Sequence, residues 1–410
     1  MQPRQPEFGR RLKQLRLAAG LKQIDLTSAS VSPSYISKLE SGARLPSPDV
    51  VGYLAARLNI PVEHLLQEEP PGRADAHEIV QAEAAIALKA GDFERVAELL
   101  QPMEEAATTM ADWQLLWMLS IAYESLGRLE EQADCLRRLA DVADTAAADH
   151  VRASALTELA GVQRVLGNLT ESLATAQQAV ALVRQSPASL PQLKLRSVMA
   201  LMASETEAGL VSQAGGRVPG LLAQVGDVSG QLQAKALWAS ASVRVRQGMA
   251  AEGMQLMRHA LATLNSRDDL LSWARLRVAA ASLQLRVTGS PTEEVRGWLD
   301  EAAPALCLVG HDIHAAELRA VWARIHFLDE DFAEAVEQAE EALKRDALAY
   351  QDRARTRLLL AAAMVGLGDR GPGLELMERV AREAESAGFL DVAAEAWKAL
   401  ATSSRNHPRD

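Results

Sequence analysis

Ser32-Pro33-Ser34-Tyr35-Ile36-Ser37-Lys38-Leu39-Glu40-Ser41-Gly42 lies inside an N-terminal stretch, Phe8 to Leu66, that reads as five short helices. Ser32 suits an N-cap, and Pro33 suits the first helical position, where its missing N–H costs nothing. Ile36 and Leu39 point inward at i, i+3, whereas Ser34, Ser37 and Lys38 point outward. Gly42 ends this helix. Upstream, Phe8, Leu12, Leu15 and Ala19 share one face of a first helix, Arg10, Arg11, Lys13 and Arg16 take other faces, and Gly20 terminates it. A second helix is expected from Lys22-Gln23 to about Ala29. Ser47-Pro48 repeats the cap-and-proline start for a fourth, with Val51, Leu54, Ala55 and Leu58 as its apolar stripe, and Pro61 opens a fifth holding Leu65 and Leu66.

Gln23 opening the second helix, Ser32-x-x-Tyr35-Ile36-Ser37-x-Leu39-Glu40-x-Gly42, and the basic loop residue Arg44 together resemble the XRE (Cro/cI-type) helix-turn-helix family. The resemblance implies a recognition helix whose start enters the major groove of double-stranded operator DNA. By position, it puts Pro33, Ser34, Ser37 and Lys38 on base edges, and Gln23, Tyr35, Ser41 and Arg44 on phosphates. Glu40 is expected to be structural, pairing with a basic residue of the first helix. The connection Leu26 to Ser32 is one residue shorter than the family pattern and lacks its turn glycine, with Ser30 nearest to it. Two serines and a lysine offer few bidentate base contacts, so shape readout and dimer spacing must supply part of any specificity. A helical bundle recruited for protein contacts is the competing reading. Charge favours DNA: residues 1–66 hold three Lys and six Arg against five acids, a net of +4, on a chain whose total is −11. A basic head on an acidic body meets phosphates while the body stays off them.

The 410 residues suit two or more domains, or one small domain and a long array. Cys135 and Cys307 show no pairing pattern, which points to a reducing cytoplasm. No apolar run approaches a membrane span, and the N-terminus has no signal-peptide core. The expected domains are 1–66, a Pro-Pro-Gly linker at 67–75, an array at 76–404 and a frayed tail at 405–410.

Helical period continues through the array, with turn marks at Gly91, Gly127, Gly167, Gly209, Gly248, Gly289, Glu330 and Gly368. Their spacing is 36 to 42 residues, the signature of stacked helix pairs. Ala122-Tyr123-Glu124-Ser125-Leu126-Gly127-Arg128-Leu129-Glu130-Glu131-Gln132-Ala133 and Asp331-Phe332-Ala333-Glu334-Ala335-Val336 resemble tetratricopeptide (TPR) units with lengthened helices. Gly215-Gly216-Arg217-Val218-Pro219-Gly220 is expected to interrupt the second helix of the fourth unit. The fold expected is all-α: a five-helix helix-turn-helix domain, then a right-handed TPR-like α-solenoid of about eight helix pairs, closed by a helix from Phe389 to Thr402.

In TPR arrays the first helix of each pair lines the concave face. Counting back from the turn marks places Gln114, Trp117, Ile121, Glu124, Thr157, Arg164, Arg196, Met199, Lys235, Trp238, Ser242, Arg246, Arg286 and Arg324 there. Of these, Gln114, Trp117, Glu124, Arg164, Arg196, Lys235, Trp238, Arg246, Arg286 and Arg324 are the candidate ligand residues. Such a groove suits an extended peptide with acidic groups or a free carboxylate. An Arg on a helix is as often merely solvated, and a Trp at helical spacing is more often core. Trp113, Trp273, Trp298, Trp322 and Trp397 are expected in the core.

The pairing of an XRE head with a TPR-type array resembles the RRNPP regulators. That resemblance implies a homodimeric, peptide-sensing transcription regulator whose ligand alters dimer geometry on the operator. It departs from the group in one respect: the four Asn (Asn59, Asn168, Asn265, Asn406) do not sit mid-helix on inner faces, so Arg and Gln would have to clamp a peptide. The alternative is a TPR scaffold for a protein partner, tethered by its DNA-binding head. No GxxxxGK[ST], GxSxG or HExxH occurs, so neither an enzyme nor a cofactor is expected. Cys307, His311 and His314 form a C-x3-H-x2-H cluster with no fourth ligand nearby, and no metal is expected there.

Overall fold

The computed structural model describes residues 5–405, apart from residues 6, 20, 29–30, 59, 67–72, 187–189 and 345–346. Among the described residues the regular elements are helical. The chain divides into two compact units, Met1–Glu83 and Ala84–Asp410.

The first unit contains α1 (Glu7–Ala18), a 3-10 turn (Gln23–Leu26), α2 (Pro33–Glu40), α3 (Pro48–Arg57) and α4 (Val62–Leu66). Phe8, Leu12, Leu26, Val31, Ile36, Leu39, Val51, Leu54, Ala55, Leu58 and Leu65 form one core. The expected stripes therefore hold, with one change on α1: Ala19 is exposed, and the buried position one turn earlier is Arg16. The second helix also differs from expectation, being a single 3-10 turn. Asp25 accepts from the Lys22 N–H at 2.7 Å, and the Thr27 hydroxyl donates to the Ile24 carbonyl, which closes the turn after four residues. Ser28 and Val31 then exchange backbone hydrogen bonds at 3.0 and 3.2 Å. Serine and β-branched residues stabilise such local alternatives to helix. Gly20 and Ser30, singled out above, lie outside the described residues.

Most of the expected linker also lies outside them, and its last three residues open α5 (Arg73–Ala90), within which the two units divide. The first repeat of the array is α5 and α6 (Phe93–Glu104), joined through Gly91; α7 (Trp113–Ser125) then pairs with α8 (Leu129–Thr145), and α9 (Asp149–Leu166) with α10 (Leu169–Gln185). Next come α11 (Pro191–Glu207) with α12 (Val211–Leu222), α13 (Gly230–Arg246) with α14 (Ala250–Thr263), and α15 (Leu270–Thr288) with α16 (Glu293–Val309). The pairs α17 (Asp312–Leu328) with α18 (Phe332–Leu343) and α19 (Tyr350–Leu367) with α20 (Arg370–Ser386) precede the closing helix α21 (Leu390–Arg405). The end of α21 is held by Arg370, which donates to the Ser403 carbonyl at 2.7 Å, and the rest of the expected tail lies outside the described residues.

All eight turn marks have a positive φ, from 63° at Glu330 to 100° at Gly368. That left-handed residue reverses the chain between the two helices of each pair. Small residues let the helices of a pair approach closely. A Cβ on Gly373 would stand 2.7 Å from Val365 Cγ2 and 2.8 Å from the Ala361 carbonyl. Gly253 stands in the same relation to Val245 and Ala241. The segment Gly215 to Gly220 does not interrupt α12, which runs through it. Ala214, Gly215, Val218 and Leu221 are buried there, and Arg217 grips the buried Glu205 of α11 with two bonds at 2.7 and 2.8 Å. Tertiary packing outweighs the low helix propensity of Gly and Pro.

The second unit also folds back on itself. A Cβ on Gly167 would fall 2.8 Å from the Tyr350 ring, and Leu169 shares a core with Ala354, Val380, Phe389 and Val392. Tyr350 stacks on Phe389 at 4.6 Å. The third pair therefore packs against the eighth and against the closing helix, and the first helices between them enclose a polar interior.

Candidate functional site

Helix α2 is held rigidly from behind. The Ser32 hydroxyl accepts from the Tyr35 N–H at 3.2 Å, which caps the first turn. On the inner side Glu40 is buried, receiving two bonds from Arg16 at 2.6 and 3.1 Å and one from Gln23 at 2.7 Å. Arg16 also donates to the Leu21 carbonyl at 2.8 Å, tying α1 to the 3-10 turn. Gln5 reaches the carbonyls of Leu39 and Arg44 at 3.1 and 2.6 Å and so fixes the far end of the helix. The outer side is free: Pro33, Ser34, Ser37, Lys38, Ser41 and Arg44 are exposed, and Tyr35 is half-buried. The Arg44 guanidinium lies over the Tyr35 ring at 4.8 Å, so two of the four residues expected at phosphates form one stacked unit. Gln23 is half-buried, and its side-chain amide donates to Glu40.

The interior of the second unit is lined by charged side chains from seven successive first helices. Glu124 of α7, Glu158 of α9, Arg196 of α11, Lys235 of α13 and Arg275 of α15 act on one another electrostatically. Arg196 is ion-paired with Glu158. Burial raises the Glu124 carboxyl, helped by Glu158 and opposed by the three cations. Burial also lowers the Lys235 ammonium, and Arg275 adds to that shift. Further along, Arg164 donates to Glu207 at 2.6 Å, yet burial still keeps the Glu207 carboxyl raised, and its Oε2 has no partner among the described residues. Glu317 of α17 is likewise raised by burial and lies 3.6 Å from Arg275. Arg246 donates to Asp391 at 2.6 Å, to the Thr206 carbonyl at 3.2 Å and to Gln351 at 3.2 Å. Burial pushes Arg286 down to about 10, and the charges of Arg355, Arg246 and Arg324 push in the same direction. These groups touch solvent but are hemmed in by neighbouring helices, so desolvation outweighs pairing for most of them.

Of the residues expected in the groove, Glu124, Arg164, Arg196, Lys235, Arg246, Arg286 and Arg324 come together on this lining. Trp238 is half-buried, with one side packed on the core that contains Leu237, Met254 and Met257. Trp117 is half-buried and Gln114 exposed. Trp273, Trp298 and Trp322 pack on cores as expected, but Trp397 is 38% exposed. Sequence reading missed Glu158, Glu207, Arg275, Glu317, Asp352 and Arg355. Arg275 and Arg286 lie eleven residues apart, three helical turns, so extending the face upstream would have found the first of them. Asp391 belongs to α21, outside the repeat pattern, and no spacing pointed to it.

The histidine cluster is structural. His314 is buried, its Nδ1 accepts the His311 backbone N–H at 3.0 Å, and burial lowers it to about 4. Its lone pair is thereby used as a helix cap. Among the described residues no group of His, Cys, Asp and Glu is arranged to hold a metal ion, and no helix is long and apolar enough to cross a membrane.

Residues 7–67 match a family of helix-turn-helix domains. Comparison with the curated proteins finds no match. Among solved structures, the chain is similar to the Rap conjugation gene regulator of the plasmid pLS20 in complex with a peptide, at 13% identity and a TM-score of 0.49, covering 99% of each chain. It is similar to Bacillus thuringiensis PlcR in complex with the peptide PapR7 and DNA, at 16% identity and a TM-score of 0.33, covering 74% of this chain and 95% of that one. It is also similar to the Streptococcus dysgalactiae SHP pheromone receptor Rgg2, at 14% identity and a TM-score of 0.34, covering 67% and 99%. These are distant likenesses.

Proposed function

We propose that this protein is a homodimeric, DNA-binding transcription regulator of the cytoplasm whose helical array senses a short peptide. The observation that carries the reading is the free outer face of α2. Pro33, Ser34, Ser37 and Lys38 stand exposed on a helix whose inner side is locked by a buried Arg16–Glu40 pair. A rigid short helix presenting small polar side chains and one cation fits a major groove. Lys38 and Arg44 supply phosphate or base contacts, while the acidic remainder of the chain is repelled by DNA.

The array interior supports the sensing half of the reading. Arginines, glutamines and carboxylates line an enclosed polar surface, and several of their buried atoms lack partners among the described residues. Such a surface fits the backbone amides and charged ends of an extended peptide. A ligand acts on DNA binding only through unequal affinity for two arrangements of the dimer.

The test uses the full chain purified from its own source. A duplex selected from a random pool should bind with a strong salt dependence. Native mass spectrometry should reveal a bound species of peptide mass, and removing it should change operator affinity. An array that carries no small ligand but co-purifies with an intact protein would replace the sensor by a scaffold. Absence of any selected duplex would overturn the DNA-binding reading.

A further inference from the structure

The first turn of α21 reaches into the charged interior. Asp391 accepts from Arg246 of α13 at 2.6 Å and from Arg355 of α19 at 2.9 Å. Glu395, one turn on, accepts from Arg355 at 3.1 and 3.2 Å. Arg286 and Arg324 share the same field. Arg246, Arg286, Arg324 and Arg355 thus share one field with Asp352, Asp391 and Glu395, and Glu207 also acts on Arg246. Arg286 is the member whose buried Nε has no partner among the described residues. A guanidinium presents five donors in a planar fork that fits a carboxylate, so this cluster is chemically selective. Asp391 is 26% exposed and Arg246 15%, so the pair is reachable by solutes.

We propose that Arg246, Arg286 and Arg355 form a carboxylate-binding site in the array interior, and that Asp391 is its built-in occupant. A ligand carboxylate takes the free donors of Arg286 and competes with Asp391 for Arg246. Its arrival loosens the first turn of α21, which packs through Val392, Ala396 and the preceding Phe389 against the third and eighth pairs. Ligand charge is thereby read by the element that closes the array. The inference rests on the sensing reading above and specifies the chemistry of the ligand.

The experiment uses the full chain, with acetate, tetra-alanine and tetra-alanine amide as probes, ionic strength being held constant with chloride. Asp391→Ala empties the built-in position, and Asp391→Asn serves if the alanine variant fails to fold. Either variant should half-saturate with acetate or tetra-alanine at a concentration at least about tenfold below that for the wild type, read as a rise in melting temperature. Adding Arg286→Gln should abolish the response. In the wild type, saturating probe should speed amide hydrogen exchange in the first turn of α21. Tetra-alanine acting where its amide does not identifies a peptide terminus, and acetate acting alone identifies a small acid. Equal responses in variant and wild type, an equally active amide, or a response that survives Arg286→Gln would overturn the proposal. A peptide-mass species that still shifts the melting temperature after such a failure would leave the sensing reading standing.

Discussion

Lys38 and Glu40 are two residues apart on α2 and have opposite environments, one exposed and one buried. Glu40→Ala leaves Arg16 as an uncompensated buried charge and is expected to cost about 3–5 kcal/mol. Urea unfolding of the N-terminal unit measures this, and a loss within error would show that the pair is not structural. Lys38→Ala should leave the unfolding midpoint unchanged but weaken operator binding. Arg44→Ala should weaken binding and lower the slope of log affinity against log salt by about one. Unchanged affinity and slope in both would remove α2 from the DNA interface. The sequence pattern identifies the outward residues of α2 because period alone assigns them. The pairing of Glu40 with a basic residue of the first helix is expected too, but period alone does not single out Arg16, which lies 24 residues away.

At the scale of single elements, the array depends on its left-handed turn residues. Seven of the eight turn marks are glycine, and the eighth is Glu330 at a φ of 63°. A side chain there costs roughly 1–2 kcal/mol, partly offset by the lower chain entropy of a non-glycine residue. Glu330→Gly is therefore expected to stabilise the array by about 1 kcal/mol or less, read as a higher melting temperature. A lower one would mean that the Glu330 side chain makes a compensating contact. Turn positions are legible in sequence because glycine marks them at a steady interval. The continuity of α12 is not legible, since Gly and Pro ordinarily break helices and only the clamp between Arg217 and Glu205, with burial against α11, keeps this one intact. The shrinkage of the second helix to one 3-10 turn is local chemistry at Asp25 and Thr27 that helical period does not weigh.

At the scale of the whole array, buried carboxylates give stability a dependence on pH. Burial raises the Glu317 carboxyl above its ordinary 4.5, so the folded state holds this proton more tightly than the unfolded chain does. The stability it contributes is complete below 4.5 and is lost as pH rises through the higher folded value. Glu124 and Glu207 shift the same way. Glu317→Gln, which mimics the protonated form, should flatten the fall in melting temperature as pH climbs from 4.5 toward neutrality. Identical profiles for variant and wild type would show that the Glu317 carboxyl is not desolvated.

Sequence alone determined the all-helical fold, the turn positions of the array and which residues of α2 face outward. Each of these follows from short-range rules: caps, apolar period and the recurrence of a turn glycine. Tertiary structure decided which inner charges meet. It brought Arg246 to Asp391 across 145 residues, left the Arg286 Nε without a partner among the described residues, and packed one side of Trp238 on the core. Those outcomes depend on how far the array folds back on itself. That curvature is a sum of small rotations between successive pairs, and no local spacing in the sequence records it.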